Sequence, residues 1–211
     1  SSKSSTYYIA FEGKTGFGYG TCIDTVRIVE TGREAKYLSS YTINQASTDF
    51  IPSNTLRNPI ININFDIKGN DENLFLDSLK ITSLNSDDNH IANNGVKLYV
   101  TTDSIFYNPI QIGSGINFEN GVAFFKNLKY DLPRGNTTLW VTYDIAEALD
   151  HSIHNSIVDA KITTESIFIN GYAYPFADKS PEGYRLIKEA IFNDSFETNL
   201  GWTLNGSFEI A

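Results

Sequence analysis

The sequence predicts an all-β fold, an antiparallel β-sandwich of the Greek-key or jelly-roll type with partial β modules at its ends. Almost every apolar segment of the 211 residues is short, rich in β-branched or aromatic residues, and bounded by Gly, Asn, Asp or Pro. Only residues 146–150 look helical, and that stretch is too short to form a stable helix. Short strands without intervening helices indicate a sandwich.

The strands are predicted in chain order from this pattern. An opening pair at 7–11 and 21–28 encloses a glycine-rich turn, and the clearest strands follow at 60–67, 74–84, 96–101, 139–145 and 157–169. Turn residues at 69–71, 93–95 and 133–136 separate them, and the last set indicates a tight turn between antiparallel strands. The 41% of hydrophobic residues, with 14 Phe, is enough to form a core.

Composition divides the chain into three regions. Residues 1–36 are predicted to be the C-terminal strands of one module, residues 37–188 a complete sandwich, and residues 189–211 the first strands of a following module. Neither end region closes a core by itself, and the chain contains no Met. We therefore expect a part of a larger protein.

Charge and cysteine content exclude several classes of function. The net charge is −9 and the 16 Lys and Arg are scattered, so no basic stripe is available for nucleic acid. No apolar run reaches the roughly 20 residues that cross a bilayer, which predicts no membrane insertion. Cys22 is the single cysteine, so it forms no disulfide within the chain and is expected in a strand core.

The middle region carries an ordered series of short patterns. They are Asn44-Gln45-Ala46-Ser47, Asn58-Pro59-Ile60-Ile61-Asn62-Ile63, Leu76-Asp77-Ser78-Leu79-Lys80-Ile81, Val96-Lys97-Leu98-Tyr99-Val100-Thr101-Thr102, Leu139-Trp140-Val141-Thr142-Tyr143-Asp144-Ile145, Asn155-Ser156-Ile157-Val158-Asp159-Ala160 and Ile167-Phe168-Ile169-Asn170-Gly171. This series resembles the N-terminal β-sandwich of BNR-repeat neuraminidases, which also occurs in multidomain surface proteins of Bacteroidota. The resemblance implies a structural or binding module.

Both ends resemble a second family, the jelly-roll modules of cleaved-adhesin and MAM-like type in secreted Bacteroidota proteins. The patterns are Tyr8-Ile9-Ala10-Phe11-Glu12-Gly13 with Ile23-Asp24-Thr25-Val26, and Phe192-Asn193-Asp194-Ser195-Phe196-Glu197 with Gly201-Trp202. Acidic residues at these places help to hold a structural calcium in that family, so the resemblance implies Asp24, Asp194 and Glu197 as ligands. Thr25 stands where many relatives have a second Asp.

Two further groups have the residue types of metal ligands. His151 and His154, with Glu147 and Asp150, offer imidazoles and carboxylates, but no third His or Cys is nearby, so a solvated loop is favoured. Residues 85–89 offer oxygens at alternate positions, but His90 replaces the Gly that a calcium loop needs, so an Asx-rich turn is favoured. No catalytic elbow or paired carboxylates stand out, and the chain is predicted to be non-catalytic.

Exposed aromatic rings are the usual platform for sugars, because the apolar face of a sugar stacks on them. Tyr172 and Tyr174 lie in a turn-flanked segment and are the predicted ligand contacts. Trp140 alternates with Thr142 and is expected to point into the core. The remaining candidates of the right type are Tyr99, Tyr107 and Trp202.

Three short Asp-Ser/Thr-aliphatic sequences resemble the acceptor that Bacteroidota enzymes use for O-glycosylation. They predict modification at Thr25, Ser78 and Ser104.

Together these patterns predict a non-catalytic adhesion, binding or spacer region of a large bacterial protein. We expect it outside the cell or on its surface, secreted across the outer membrane as in type IX secretion. Its expected partners are a glycan or a host or cell-surface protein, together with neighbouring domains of its own parent chain. The alternative is an accessory region of a secreted hydrolase, a gingipain-like peptidase or a sialidase. A third hypothesis is that the unfinished ends pair between chains.

Overall fold

The computed structural model describes residues 32–147 and 152–189, and these residues form an all-β fold. Their one helical element is a single 3-10 turn, Asp88–His90. The strands are β1 (Tyr37–Gln45), β2 (Ile51–Pro52), β3 (Asn58–Lys68), β4 (Phe75–Ser83), β5 (Ile91–Thr101), β6 (Ile110–Ile116), β7 (Val122–Phe125), β8 (Tyr130–Asp131), β9 (Gly135–Ile145), β10 (Ile157–Val158), β11 (Ala160–Lys161), β12 (Ile167–Ile169), β13 (Tyr172–Tyr174) and β14 (Arg185–Lys188).

Two antiparallel sheets packed together give the β-sandwich that the sequence predicts. The first has the order β1-β3-β9-β5-β6. The second is built around β4, which pairs with β7 and β8 along one side and with β11 and β12 along the other, and β13 pairs with β12 at the edge. A small third sheet, β10-β14-β2, contains the parallel pair β14 and β2.

The core lies between the two main sheets. Phe65 and Val141 of the first sheet and Leu79 of the second are among its fully buried members. Each such side chain contributes roughly 1.5–3 kcal/mol when it is removed from water. The burial pattern therefore accounts for the strong hydrophobic alternation of β3 and β4.

The predicted strands at 60–67, 96–101 and 139–145 are confirmed within β3, β5 and β9, and the one at 74–84 is confirmed as β4, which is one residue shorter at each end. The predicted strand at 157–169 is instead three strands, β10, β11 and β12. The break at Asp159 occurs where the chain leaves the small sheet for the second main sheet, because β10 pairs with β14 and β11 pairs with β4. A turn at Glu165, with φ of +55°, interrupts the chain again.

Two predicted turns also differ from the structure. Residues 93–95 lie inside β5, where Asn94 has φ of +53° and the pairing register shifts between Ile91 and Val96. They therefore form an irregularity in one strand and do not separate two strands. Residues 133–136 do connect two strands, but β8 and β9 belong to different sheets and do not pair. The predicted strand pair at 7–11 and 21–28 lies outside the described residues.

Trp140 is buried, but the prediction that it points into the core is wrong. Leu139 and Val141 belong to the core, so alternation along β9 places Trp140 on the opposite face of the first sheet, which we call the outer face. Trp140 is 4% exposed because the loop of residues 102–109 covers it through the ring of Phe106. Its Nε1 donates a hydrogen bond of 2.9 Å to Thr101 Oγ1.

Asp159 is a buried carboxyl without a cationic partner among the described residues. It is 4% exposed, and its Oδ1 accepts a hydrogen bond of 2.7 Å from the amide of Ala160. Burial raises the pKa of Asp159 to about 6, while the Ala160 amide lowers it in part. The pKa of Tyr143 nearby is raised, first by burial and then by the charge of Asp159.

We expect Asp159→Asn to stabilise the protein at neutral pH. An unfolded Asp has a pKa near 3.9, so Asp159 holds its proton more tightly in the folded protein than in the unfolded chain. The folded state therefore loses stability as the pH rises from about 4 through 6. At pH 8 the Asn variant should exceed the parent by about 1–3 kcal/mol in free energy of unfolding, and at pH 4 the two should agree. Urea unfolding at both pH values measures this, and an equal difference at both would contradict it.

Candidate functional site

Tyr172 and Tyr174 lie on β13, the edge strand of the second sheet. The hairpin between β12 and β13 closes through Asn170 and Gly171, whose φ values of +45° and +80° are those of a two-residue turn. Tyr172 and Tyr174 are two residues apart and therefore point to the same side of the strand. Tyr172 is 70% exposed, whereas Tyr174 is half-buried against the core.

Tyr174 meets Tyr41 of β1, the edge strand of the first sheet. Their ring centroids are 5.7 Å apart and the rings are nearly edge to face, at 65°. Phe176 is a second aromatic neighbour of Tyr174, with a centroid distance of 5.8 Å, and is 83% exposed. The edges of the two sheets thus meet through a row of three aromatic rings.

A groove of about 360 Å³ lies beside these rings, and we call it the Tyr41–Tyr174 groove. Leu38, Ser39 and Ser40 line it together with the two tyrosines and Lys179. Burial, and then the neighbouring Tyr174, raise the pKa of Tyr41, so its hydroxyl stays protonated and able to donate at physiological pH. Among the described residues the ammonium of Lys179 makes no ion pair.

The chemistry of this groove is that of binding. Its aromatic faces offer stacking, and its serine and tyrosine hydroxyls and the Lys179 ammonium offer hydrogen bonds. Small-molecule sites commonly combine an apolar wall with a few polar groups in this way. The structure brings the two predicted contacts, Tyr172 and Tyr174, to one side of one strand and adds Tyr41, Phe176 and Lys179 to them.

The predicted calcium ligands Asp24, Asp194 and Glu197 lie outside the described residues, and so does Thr25. Within residues 32–147 and 152–189 no three His, Cys, Asp or Glu side chains are grouped as metal ligands. The calcium prediction therefore stays a prediction.

The histidine group for which the sequence favours a solvated loop is described only in part, because Asp150 and His151 lie outside the described residues. His154 Nδ1 accepts a hydrogen bond of 3.2 Å from the amide of Glu189. This nitrogen is therefore engaged with the backbone.

The asparagine- and aspartate-rich segment at 85–89 forms the Asx turn that the sequence favours. Asp87 Oδ1 accepts hydrogen bonds of 2.9 Å from both the amide and the side chain of Asn89, and Asp87 caps the 3-10 turn. The Asn89 amide, followed by the charge of His90, lowers the pKa of Asp87. Its carboxylate is thereby committed to the turn.

The two predicted modification sites that the structure describes differ in accessibility. Ser78 is half-buried inside β4 and pairs with Phe168. Ser104 is exposed in the loop of residues 102–109. Only Ser104 of these two stands in a segment that a modifying enzyme reaches without opening a sheet.

Two members of the aromatic row and its groove, Tyr41 and Lys179, were not predicted from the sequence, whereas Phe176 lies in the turn-flanked segment that carries Tyr172 and Tyr174. Tyr41 and Ile43 are separated by the polar Thr42 in β1, and this alternation indicates a strand with a partly buried tyrosine. Its contact with Tyr174 joins positions 133 residues apart in the numbering, and no local pattern carries that information.

No model of a known protein family matches this chain, and no curated protein matches it either. In the described residues no helix is long and apolar enough to cross a membrane.

Proposed function

We propose that this chain is a non-catalytic carbohydrate-binding module whose ligand lies in the Tyr41–Tyr174 groove. The observation that carries the proposal is the row of aromatic rings, Tyr41, Tyr174 and Phe176, at the meeting sheet edges, two of which line a groove of about 360 Å³. Phe176 is largely exposed, and so is Tyr172, which lies on the same strand as Tyr174. A soluble protein exposes large aromatic rings together mainly where they contact a partner.

A sugar suits this groove better than a purely apolar ligand. The ring faces of Tyr172 and Phe176 complement the C–H face of a pyranose, and the groove wall supplies hydroxyls and the Lys179 ammonium for its hydroxyl groups.

We further propose that the module works outside the cell, as an adhesive or spacing region of a larger secreted or surface protein. The low charge density, the solvated Asx turns and the absence of a disulfide framework suit a bacterial surface protein. The parent is an adhesin or a hydrolase, and in either case this region binds the glycan and leaves any chemistry to other domains.

The proposal predicts that exposed aromatic side chains carry binding but not stability. We expect Tyr172→Ala and Phe176→Ala each to weaken binding of a glycan by about three- to tenfold, since an aromatic contact contributes about 0.5–1.5 kcal/mol. A glycan array identifies a bound sugar, and isothermal titration with that sugar then compares the variants. The melting temperature should stay within a few degrees of the parent because both rings are exposed.

Tyr184→Ala provides the matched control, because Tyr184 is 49% exposed and belongs neither to β13 nor to the row of aromatic rings. It should leave the affinity unchanged. Equal losses in all three variants would contradict a site at β13, and an array without any bound glycan would contradict the proposed function itself.

A further inference from the structure

The loop of residues 102–109 is held firmly across the outer face of the first sheet. The Phe106 ring packs edge to face on Trp140 and Tyr99, with centroid distances of 5.3 and 5.8 Å. Asp103 Oδ1 also accepts a hydrogen bond of 3.0 Å from the amide of Ile105. The loop nevertheless displays Tyr107 with 74% of its surface exposed.

The turn before β3 faces this loop and presents an arginine. The Arg57 amide donates a hydrogen bond of 2.7 Å to one oxygen of Asp144, and Lys97 Nζ donates one of 2.5 Å to the other. Asp144 is therefore already neutralised by Lys97. The Arg57 side chain is exposed, and among the described residues its guanidinium makes no ion pair or hydrogen bond.

Arg57 also holds an unfavourable backbone conformation, with φ of +58°. Eight of the twelve non-glycine residues with positive φ in the described part of the chain are Asn, which tolerates this region, whereas Arg does not. The hydrogen bond from the Arg57 amide to Asp144 holds the backbone in this strained conformation.

Two grooves meet at Tyr107. The larger, of about 550 Å³, is lined by Leu56, Arg57 and Phe106 among others, and no carboxylate lines it. The smaller, of about 260 Å³, is lined by Asp103 and by Thr137, which is 1% exposed and whose buried Oγ1 has no hydrogen-bond partner. Tyr107 and Asn108 line both grooves.

We propose that this surface is a second carbohydrate site, and that it takes a linear glycan in which a uronic acid alternates with a neutral sugar. The unpaired Arg57 binds the carboxylate of the uronic acid in the larger groove, because a guanidinium and a carboxylate form paired charge-assisted hydrogen bonds. Asp103 repels a second carboxylate from the smaller groove, so a neutral sugar occupies it.

The placement of Tyr107 fits a sugar chain and not a single terminal sugar. Its exposed ring lines both grooves, so neighbouring sugars stack on it or contact its edges. Asn108 offers an amide to both sugars, and the unpartnered hydroxyl of Thr137 offers a hydrogen bond on the neutral side. The anchoring of Phe106 fixes this arrangement before the ligand arrives.

The experiment uses two hexasaccharides of matched length. Hyaluronan hexasaccharide alternates glucuronate with N-acetylglucosamine, and chitohexaose contains N-acetylglucosamine alone. We expect the intact chain to bind the hyaluronan probe more tightly by about tenfold or more at low salt, and this preference should shrink at high salt because a charge pair is screened.

Arg57→Gly separates binding from folding. Glycine adopts positive φ without strain, so the variant should fold at least as stably as the parent while it loses about tenfold or more of the hyaluronan affinity. Lys129→Gly is the matched control, because Lys129 is also an exposed cation at positive φ, +47°, and lines neither groove. It should change the affinity little.

This inference takes the class of ligand from the proposed function, and the two fail separately. If Tyr172→Ala weakens hyaluronan binding and Arg57→Gly leaves it unchanged, this inference is overturned, and the ligand lies in the Tyr41–Tyr174 groove. Equal losses in Arg57→Gly and Lys129→Gly would also overturn it, since they would reduce the effect to net charge. Binding lost in Arg57→Gly and retained in both Tyr172→Ala and Lys129→Gly supports it.

Discussion

Arg185→Ala is expected to lower the free energy of unfolding by about 3–4 kcal/mol, which is a large fraction of the stability of an ordinary domain. The Arg185 guanidinium is almost fully buried and donates three hydrogen bonds to backbone carbonyls, at 2.8 Å to Asp49, 2.9 Å to Pro59 and 3.3 Å to Phe50. Burial lowers the pKa of Arg185, but a guanidinium stays charged at physiological pH.

The cost arises because one side chain ties three segments together. Arg185 belongs to β14, and its carbonyl partners lie just before β2 and at the beginning of β3. When the guanidinium is removed, those partly buried carbonyls lose their donors, and a carbonyl that stays unpaired away from water costs about 1–3 kcal/mol. The variant also leaves a cavity at this junction.

Urea unfolding of three variants measures this prediction. Arg185→Met keeps most of the aliphatic volume without the donors, and Arg185→Lys keeps the charge with a single donor centre. We expect Ala to be least stable, Met next, and Lys closest to the parent. A loss below about 1 kcal/mol for Ala would show that water satisfies the carbonyls and would contradict the role assigned to Arg185.

Trp140→Ala is expected to cost about 3–5 kcal/mol in free energy of unfolding, as is usual for a large buried ring. Trp140 packs against Phe106 at 5.3 Å and donates to Thr101 at 2.9 Å, so its removal also frees the loop of residues 102–109. Hyaluronan binding should therefore fall in parallel, while binding in the Tyr41–Tyr174 groove should remain.

Trp140→Phe keeps the prediction testable if the alanine variant does not fold. Phenylalanine retains a ring against Phe106 and removes the Nε1 donor, so about 1 kcal/mol of stability should be lost. Thermal unfolding measures the loss of stability, and titration with both hexasaccharides measures any loss of binding. A Phe variant with full stability and no hyaluronan binding would contradict the view that Trp140 acts only by supporting the loop.

Much of the architecture could be predicted from local patterns. The β-branched alternation of β3, β4 and β9 indicated strands because each buries one face or both against a packed neighbour. The strand β1 was harder to recognise, since its sequence Tyr-Leu-Ser-Ser-Tyr-Thr-Ile-Asn-Gln is largely polar and it lies at a sheet edge with one side in water.

The partners of strands could not be predicted in the same way. The segment at 157–169 has a continuous strand pattern, yet Asp159 separates one piece that pairs with β14 from another that pairs with β4. The burial of Trp140 on the outer face likewise depends on a loop that begins 38 residues before it in the numbering. Such features follow from tertiary contacts and carry no local periodicity.

The candidate sites show the same limit. Tyr172 and Tyr174 were recognised from residue type and turn context, whereas Tyr41 joins them only because two sheet edges meet. Arg57 gives no signal in the sequence, because its exposure, its strained φ and the neutralisation of Asp144 by Lys97 are all properties of the fold.

An NMR titration of the intact chain with the glycan that the array identifies tests the central claim most directly. The account predicts amide shifts concentrated at residues 38–41, 172–174, 176 and 179, saturating with one ligand and clearly reduced in Tyr172→Ala at the same concentration. Shifts spread over the surface without saturation, or confined to residues far from these two edge strands, would contradict a carbohydrate site in the Tyr41–Tyr174 groove.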